Sequence, residues 1–249
     1  ALAPLLGGWL TAKAGWSANF WFMAGYAVVV GSWLLWRRPE TRPEETSSSG
    51  PLISWSRYSP VLRSPSFLFN AALCMLAMAV ILAYVTAAPV QLMVKLGLDM
   101  NGFSYWFTAN AALNILACFL APRFIARVGP RRTLRIGLLV LLLSAILLTL
   151  TMHLAHPLAM MGPVFLSSIG FAMILGAAAG MALAPFGHCA GTAAALLGLF
   201  QMSGSGALVG ITGWLMPDPL SQLALHMWLL LPPLLMLMTR QGRRLCLQP

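Results

Sequence analysis

Arg37-Arg38-Pro39-Glu40-Thr41-Arg42-Pro43-Glu44-Glu45-Thr46-Ser47-Ser48-Ser49-Gly50 is the longest polar stretch in a chain that is otherwise almost continuously apolar. Its prolines, serines and charges can neither enter hydrocarbon nor build a packed core. Apolar segments of helical length flank it, two before, the first of them incomplete, and six after. With 59% hydrophobic and 8% charged residues and a mean hydropathy of +0.83, the chain reads as an all-α polytopic membrane protein. A crossing helix needs about 20 mostly apolar residues. A soluble helical core would show a polar face every 3.6 residues. Residues 138–150 are apolar nearly all round, interrupted only by Ser144 and Thr149.

Outward from the polar stretch, residues 1–11 read as the end of one crossing and 16–36 as a complete one with Trp at both ends, where amphipathic rings prefer the interface. Residues 54–63 read either as a short helix on the membrane surface or as a linker. Six crossings follow: 66–94, 103–120, 133–152, 158–183, 191–215 and a last one ending near 238. A basic turn is expected over 123–132. Six is even, so the polar stretch and the C-terminal tail fall on one side. All thirteen arginines then lie on that side, and the two lysines, Lys13 and Lys95, lie on the other. Arginine-rich loops mark the cytoplasmic face. The net charge of +10, which in a soluble protein would suggest nucleic acid, belongs here to loops between spans, and no nucleic-acid partner is expected.

The five acids all lie in loops: Glu40, Glu44 and Glu45 in the polar stretch, Asp99 and Asp218 in turns opposite. Proton-coupled transporters usually carry an intramembrane carboxylate, and this sequence places none in a span. Cys74, Cys118, Cys189 and Cys246 show no CxxC spacing, and His153 with His156 forms an H-x-x-H pair without further ligands, so neither disulfides nor a metal site is expected. His226 reads as interfacial. No Ser/His/Asp set, phosphate-binding glycine loop or carboxylate pair supports catalysis, and no cofactor is expected. The chain opens without Met, at what reads as helix interior, and is expected to be the C-terminal portion of something longer.

Several motifs carry a family resemblance. Ala3-Pro4-Leu5-Leu6-Gly7-Gly8 resembles the antiporter signature G-P-x-x-G-G in the fifth span of major facilitator drug–proton antiporters, with Ala3 in place of the first Gly. Pro4, Gly7 and Gly8 would bend and pack that helix. Gly15-Trp16 with Phe20-Trp21, Pro39-Glu40-Thr41, and Tyr84-Val85-Thr86-Ala87-Ala88-Pro89 are similar to segments of the Bcr/CflA branch. So is Phe186-Gly187-His188-Cys189-Ala190-Gly191-Thr192-Ala193 with Gln201 beyond it. Arg127-Val128-Gly129-Pro130-Arg131-Arg132 resembles a degenerate D-R-x-G-R-R loop in which Ala126 replaces the Asp. That departure puts any charge relay through the Asp in doubt, while contacts from these arginines to lipid head groups or helix ends remain open.

The resemblance implies the C-terminal six-helix bundle of a major facilitator fold, plus the sixth span and part of the fifth. Residues 1–36 would end the N-terminal bundle, 37–65 form a cytoplasmic central loop, 66–239 the C-terminal bundle and 240–249 a cytoplasmic tail. The implied activity is export of small amphipathic drugs or metabolites across a bacterial inner membrane. It would run by alternating access against protons, with the coupling carboxylate on N-terminal helices outside this chain. Two alternatives stand beside it: a dedicated nucleoside or sugar exporter, and a truncated product without transport activity.

Four residues are candidates for the substrate pathway. Gln201 lies mid-span, and its amide either faces a water-filled cavity or bonds a neighbouring helix. Asn110 and Asn114 share one helical face. Tyr84 would stack on an aromatic substrate or pack near a helix end. Pro89 reads as a kink and His188 as a residue that caps a helix or fixes its turn. Met160, Met161, Met173 and Met181 offer an adaptable lining or plain packing. Gly176 with Gly180, and Gly206 with Gly210, form small-xxx-small faces for close helix approach.

Overall fold

The fold is that of a computed structural model, which describes residues 2–37 and 55–239. Residues 38–54 of the central loop expected over 37–65, with their arginines and glutamates, and the tail at 240–249 lie outside the described residues. The chain divides into two compact units, Ala1–Leu52 and Ile53–Pro249.

The first unit holds α1 (Leu2–Ala14) and α2 (Ser17–Arg37). Gly15, at φ 80°, turns the chain between them, a left-handed conformation that glycine adopts without a Cβ penalty. The helices meet through Thr11. Its hydroxyl donates to the Gly7 carbonyl at 2.8 Å and accepts from Asn19 Nδ2 at 2.7 Å. A Cβ on Gly7 would sit 3.5 Å from Asn19 Oδ1, whereas one on Gly8 would meet nothing within 4 Å. Pro4 lies in the first turn of α1.

The second unit is a helical bundle: α3 (Trp55–Leu62), α4 (Pro65–Pro89), α5 (Met100–Val128), α6 (Pro130–Thr151), α7 (Pro157–Leu183), α8 (Ala190–Leu199), α9 (Ser205–Leu215), α10 (Pro219–Trp228) and α11 (Leu231–Met238). Six helical runs among the described residues are long and apolar enough to cross a membrane. One of them, Pro157–Leu215, has 59 residues, roughly twice a bilayer at ~1.5 Å per residue. It breaks at the tight turn Ala184–Cys189, where Phe186 leaves helical geometry at φ −111°, ψ 30°. The run therefore makes two crossings, and the second unit makes six.

Caps set several of the ends. Ser64, Asp99 and Asp218 accept backbone N–H bonds from Phe67, Gly102 and Ser221 and open α4, α5 and α10, satisfying donors that have no partner inside the helix. Pro89 ends α4 at a change to a wider π-helical turn, Val90–Lys95. The linker reading of 54–63 gives way to the helix α3, whose Val61 is buried in the core. The basic turn expected over 123–132 is corrected: α5 runs on to Val128 and α6 begins at Pro130, leaving Gly129 at φ 89° as the break. Long arginine side chains let a helix continue beyond hydrocarbon while their charges reach water.

Helix α7 is the centre, packing on α4, α5 and α6. Pro163 inside α7 has no N–H for the Ala159 carbonyl, and the Thr151 hydroxyl of α6 donates to that carbonyl at 2.6 Å. Ser144 of α6 donates to the Pro163 carbonyl, also at 2.6 Å. Between these bonds and the far end of the pair, a Cβ on Gly170 would lie 2.8 Å from the Gly137 carbonyl oxygen, and one on Gly137 would lie 3.1 Å from that of Gly170. The closest crossing is thus Gly137–Gly170. Of the small-xxx-small faces, Gly176 approaches Ile125 of α5, and Gly180, Gly206 and Gly210 would meet nothing within 4 Å.

The ends alternate as an even number of crossings requires. Phe67 at the start of α4 packs edge-on against Phe186 in the α7–α8 turn, centroids 5.8 Å apart. At the other end, Lys95 Nζ reaches Asp218 Oδ1 at 2.6 Å. Gly170→Ala is expected to lower stability in detergent by about 1–3 kcal/mol, the usual cost of overpacking. Gly162→Ala, where a Cβ meets nothing within 4 Å, serves as the control, and thermal unfolding of the two reads the difference.

The hydrogen bond from Lys95, followed by those from Ser221, lowers the Asp218 carboxyl from 3.8 to about 2. A carboxylate held below its ordinary value stabilises the fold fully above that value and loses the contribution as pH falls through the folded one. Stability should therefore drop between pH 3.8 and about 2. Asp218→Asn keeps a capping oxygen without the charge. It is expected to flatten that part of a pH-dependent melting curve, and added salt should shrink the difference because the pair is exposed.

Candidate functional site

Helical periodicity brings residues 107, 110, 111 and 114 of α5 onto one stripe, and α4 presents Ile81, Tyr84 and Val85 to it. With Ile115 of α5 and Phe171 of α7 they line a pocket of about 230 Å³. Three of the four pathway candidates, Tyr84, Asn110 and Asn114, thus share one cavity. The Tyr84 ring stacks on Phe107 with centroids 5.7 Å apart and planes 15° from parallel, and Phe103 extends the aromatic column, its centroid 5.5 Å from that of Phe107.

Polar groups at this depth must find partners. Asn110 is buried, and its Oδ1 accepts from the Ser168 hydroxyl of α7 at 2.9 Å. The Tyr84 hydroxyl faces the Asn110 amide, yet no partner meets hydrogen-bond geometry. Asn114 is half-buried and accepts from Cys118 Sγ one turn along, at 3.7 Å. The pocket therefore offers a stacked aromatic wall, apolar flanks and one accessible amide, Asn114, with the committed Asn110 amide and the unpaired Tyr84 phenol buried behind them. Such a set can hold a planar apolar group and hydrogen-bond its polar edge.

Gln201 is not part of this pocket. It sits in a π-helical turn, Phe200–Gly204, against α4, and its amide faces the Cys74 thiol. Cys74 lies ten residues before Tyr84 on α4, an axial rise of ~15 Å. The π turn packs closely there, since a Cβ on Gly204 would lie 2.7 Å from Met75 Sδ, and Ser205 Oγ donates to the Gln201 carbonyl. Such single-turn insertions recur at functional positions in helices. Gly191, in the first turn of α8, is exposed with open space around it. His188 is exposed in the preceding turn, beside Cys189 Sγ at 3.5 Å and the Phe186 ring at 6.4 Å. It caps no helix, since α8 has no side-chain cap bond.

Among the methionines, Met160 and Met161 are buried core, Met181 packs against that core, and Met173 lines an apolar groove between α5 and α7. Arg131 and Arg132 line a second pocket at the α5–α6 turn, and Arg127 is exposed on the last turn of α5. No metal-binding cluster occurs among the described residues.

The interfacial reading of His226 is corrected. It is 1% exposed, its Nδ1 is 2.7 Å from the Gln222 carbonyl and its Nε2 is 3.2 Å from the Thr212 hydroxyl of α9. Gln222 Nε2 donates to the Val209 carbonyl and to Thr212 Oγ1. The cluster joins α9 to α10. Gln222 and His226 share a face at i, i+4, which was the available signal. Phe107, three residues before Asn110, was detectable in the same way. Ser168 and Phe171 come from a helix far along the chain, and no local pattern points to them.

Apolar crossings, proline-relieved carbonyls and a polar-lined pocket between helices define the second unit as a six-crossing bundle of a multi-pass membrane protein. The model of the family described as Major Facilitator Superfamily matches residues 1–209. Similar relatives include the multidrug resistance protein MdtL of Escherichia coli O157:H7 (strain EC4115 / EHEC), 33% identical over 219 residues, covering 86% of this chain and 54% of the relative. MdtL of Escherichia coli O127:H6 (strain E2348/69 / EPEC) is 33% identical over 220 residues with the same coverage. The chain belongs to the major facilitator superfamily. It spans about half the length of the curated relatives it matches.

Asn110→Leu removes the acceptor of a buried hydroxyl, and is expected to cost about 1–3 kcal/mol. Asn114→Leu, half-buried with a partner on its own helix, is expected to cost much less. Chemical denaturation in detergent followed by helical signal measures both, and equal losses would contradict the placement of the two amides.

Proposed function

We propose that this chain is the substrate-binding C-terminal half of an exporter of small amphipathic drugs or metabolites in a bacterial inner membrane, of the Bcr/CflA type. The observation that carries this reading is the pocket of Tyr84, Phe107, Asn110 and Asn114. It pairs an aromatic stacking surface with amide groups inside a membrane-spanning bundle. The multidrug resistance relatives give the substrate class its support.

In this reading the bundle works against N-terminal helices of the same protein, and the two rock about a binding site near the bilayer midplane. Protons moving inward drive export, and the coupling carboxylate belongs to the N-terminal helices, since neither described acid, Asp99 or Asp218, lies within a crossing helix. The arginine-bearing ends of the helices, the central loop and the tail face the cytoplasm. Lys95 and Asp218 then close the outer end of the bundle.

The test uses the protein complete with its upstream helices in a host stripped of its own efflux pumps. Energised export of a planar fluorescent cation is expected to fall several-fold with Tyr84→Phe, Asn114→Ala or Gln201→Ala. Each removes a contact of the order of 1 kcal/mol, and membrane insertion should be unchanged. Wild-type export by all three variants would return these residues to packing roles, and equal dye retention with and without the protein would refute multidrug export.

A further inference from the structure

Two cavities away from the polar pocket lie on consecutive turns of α5. One is an apolar groove of about 270 Å³ between α5 and α7, lined along α5 by Leu113, Leu116, Leu120 and Phe124 and floored by Met173. The other, of about 470 Å³, lies at the α5–α6 turn and is lined by Val128, Gly129, Pro130, Arg131, Arg132 and Arg135. Phe124 and Val128 are four residues apart, so the groove and the basic pocket follow one helical stripe.

The basic pocket contains no acid, and both described acids sit at the other end of the bundle: Asp99 caps the start of α5 and Asp218 the start of α10. Helix α5 has 29 residues, or ~44 Å, so the full distance between its ends separates Asp99 from this pocket. Arg131 has an interaction within the chain, and the charge available to a ligand is assigned to Arg132 and Arg135. The first turn of α6 adds backbone N–H groups at its positive end.

The dimensions choose the occupant. From Leu113 to Phe124 the axial rise is ~16 Å, and half of the bilayer's ~30 Å hydrocarbon core is ~15 Å. The groove therefore has the depth of one leaflet, and the arginines begin where hydrocarbon gives way to head groups. We propose that α5, α6 and α7 hold an anionic phospholipid, its phosphate against Arg132 and Arg135 and one acyl chain along Leu116, Leu120 and Phe124. A zwitterionic lipid fits the groove equally well but gains less from the positive charge, which no described acid faces, so the site discriminates by head group. The proposal does not depend on what the protein transports.

The purified chain in nonionic detergent, equilibrated with phosphatidylglycerol, phosphatidylcholine or glycerol phosphate and read by native mass spectrometry, tests it. Phosphatidylglycerol is expected to be retained in preference to phosphatidylcholine, with roughly fivefold of that preference lost per arginine removed in Arg132→Gln and Arg135→Gln. Ala117→Phe, which fills the groove, is expected to reduce retention of either lipid. Equal retention of the two lipids by the unaltered chain would overturn the proposal without reference to any variant. Glycerol phosphate bound as tightly as phosphatidylglycerol would replace the lipid by a soluble phosphate. Unchanged phosphatidylglycerol retention in Ala117→Phe would remove the acyl chain from the groove.

Discussion

Helix α7 can cross the bilayer with a proline in its interior because α6 supplies what the proline withholds. Near the α6–α7 turn the Ala159 carbonyl receives no N–H from Pro163, and Thr151 bonds it instead. Its neighbour Ser144 reaches the Pro163 carbonyl. These bonds require the two backbones to come close, and Gly137 with Gly170 lets them. Backbone satisfaction in a medium without water thus fixes the α6–α7 pair, and α4 and α5 then pack on α7.

That arrangement places the polar pocket. Because α5 rests on α7, Asn110 meets Ser168 and is held in one orientation. Because α4 also packs on α7, Tyr84 is brought to stack on Phe107. The pocket is therefore a product of three helices, none of which carries the set alone. Gln201 belongs to a different level of the bundle, where a π-helical turn presses Gly204 onto Met75. The two polar levels are separated by about three turns of α4, so any ligand that touches both is long or occupies them in succession.

Charge acts at the ends in the way that burial acts in the middle. Lys95 and Asp218 tie the far ends of α4 and α10, and Asp218 also caps α10. At the opposite end the arginines lie on helix termini around Gly129 rather than in a flexible turn. The bilayer thus sorts the charges by depth, and the helix ends supply groups for them to meet. The buried His226–Gln222–Thr212 cluster stands apart, a polar contact that links α9 to α10 through side-chain hydrogen bonds.

Span length and hydropathy are local properties, so the all-helical membrane class and the six crossings after the polar stretch could be read from residue order. The paired faces of Asn110 and Asn114 could be read as well, because helical period is local. The family resemblance rested on short motifs, and the match over residues 1–209 agrees with it. Which neighbour a face meets is decided by contacts between residues far apart in the chain, and no pattern in the order of residues encodes them. Tertiary packing therefore decided that Gly137 and Gly170, rather than Gly206 and Gly210, form the close crossing. It also separated Gln201 from Tyr84 and drew His226 away from the interface into a sealed network, because apolar helices bury the polar face that finds partners.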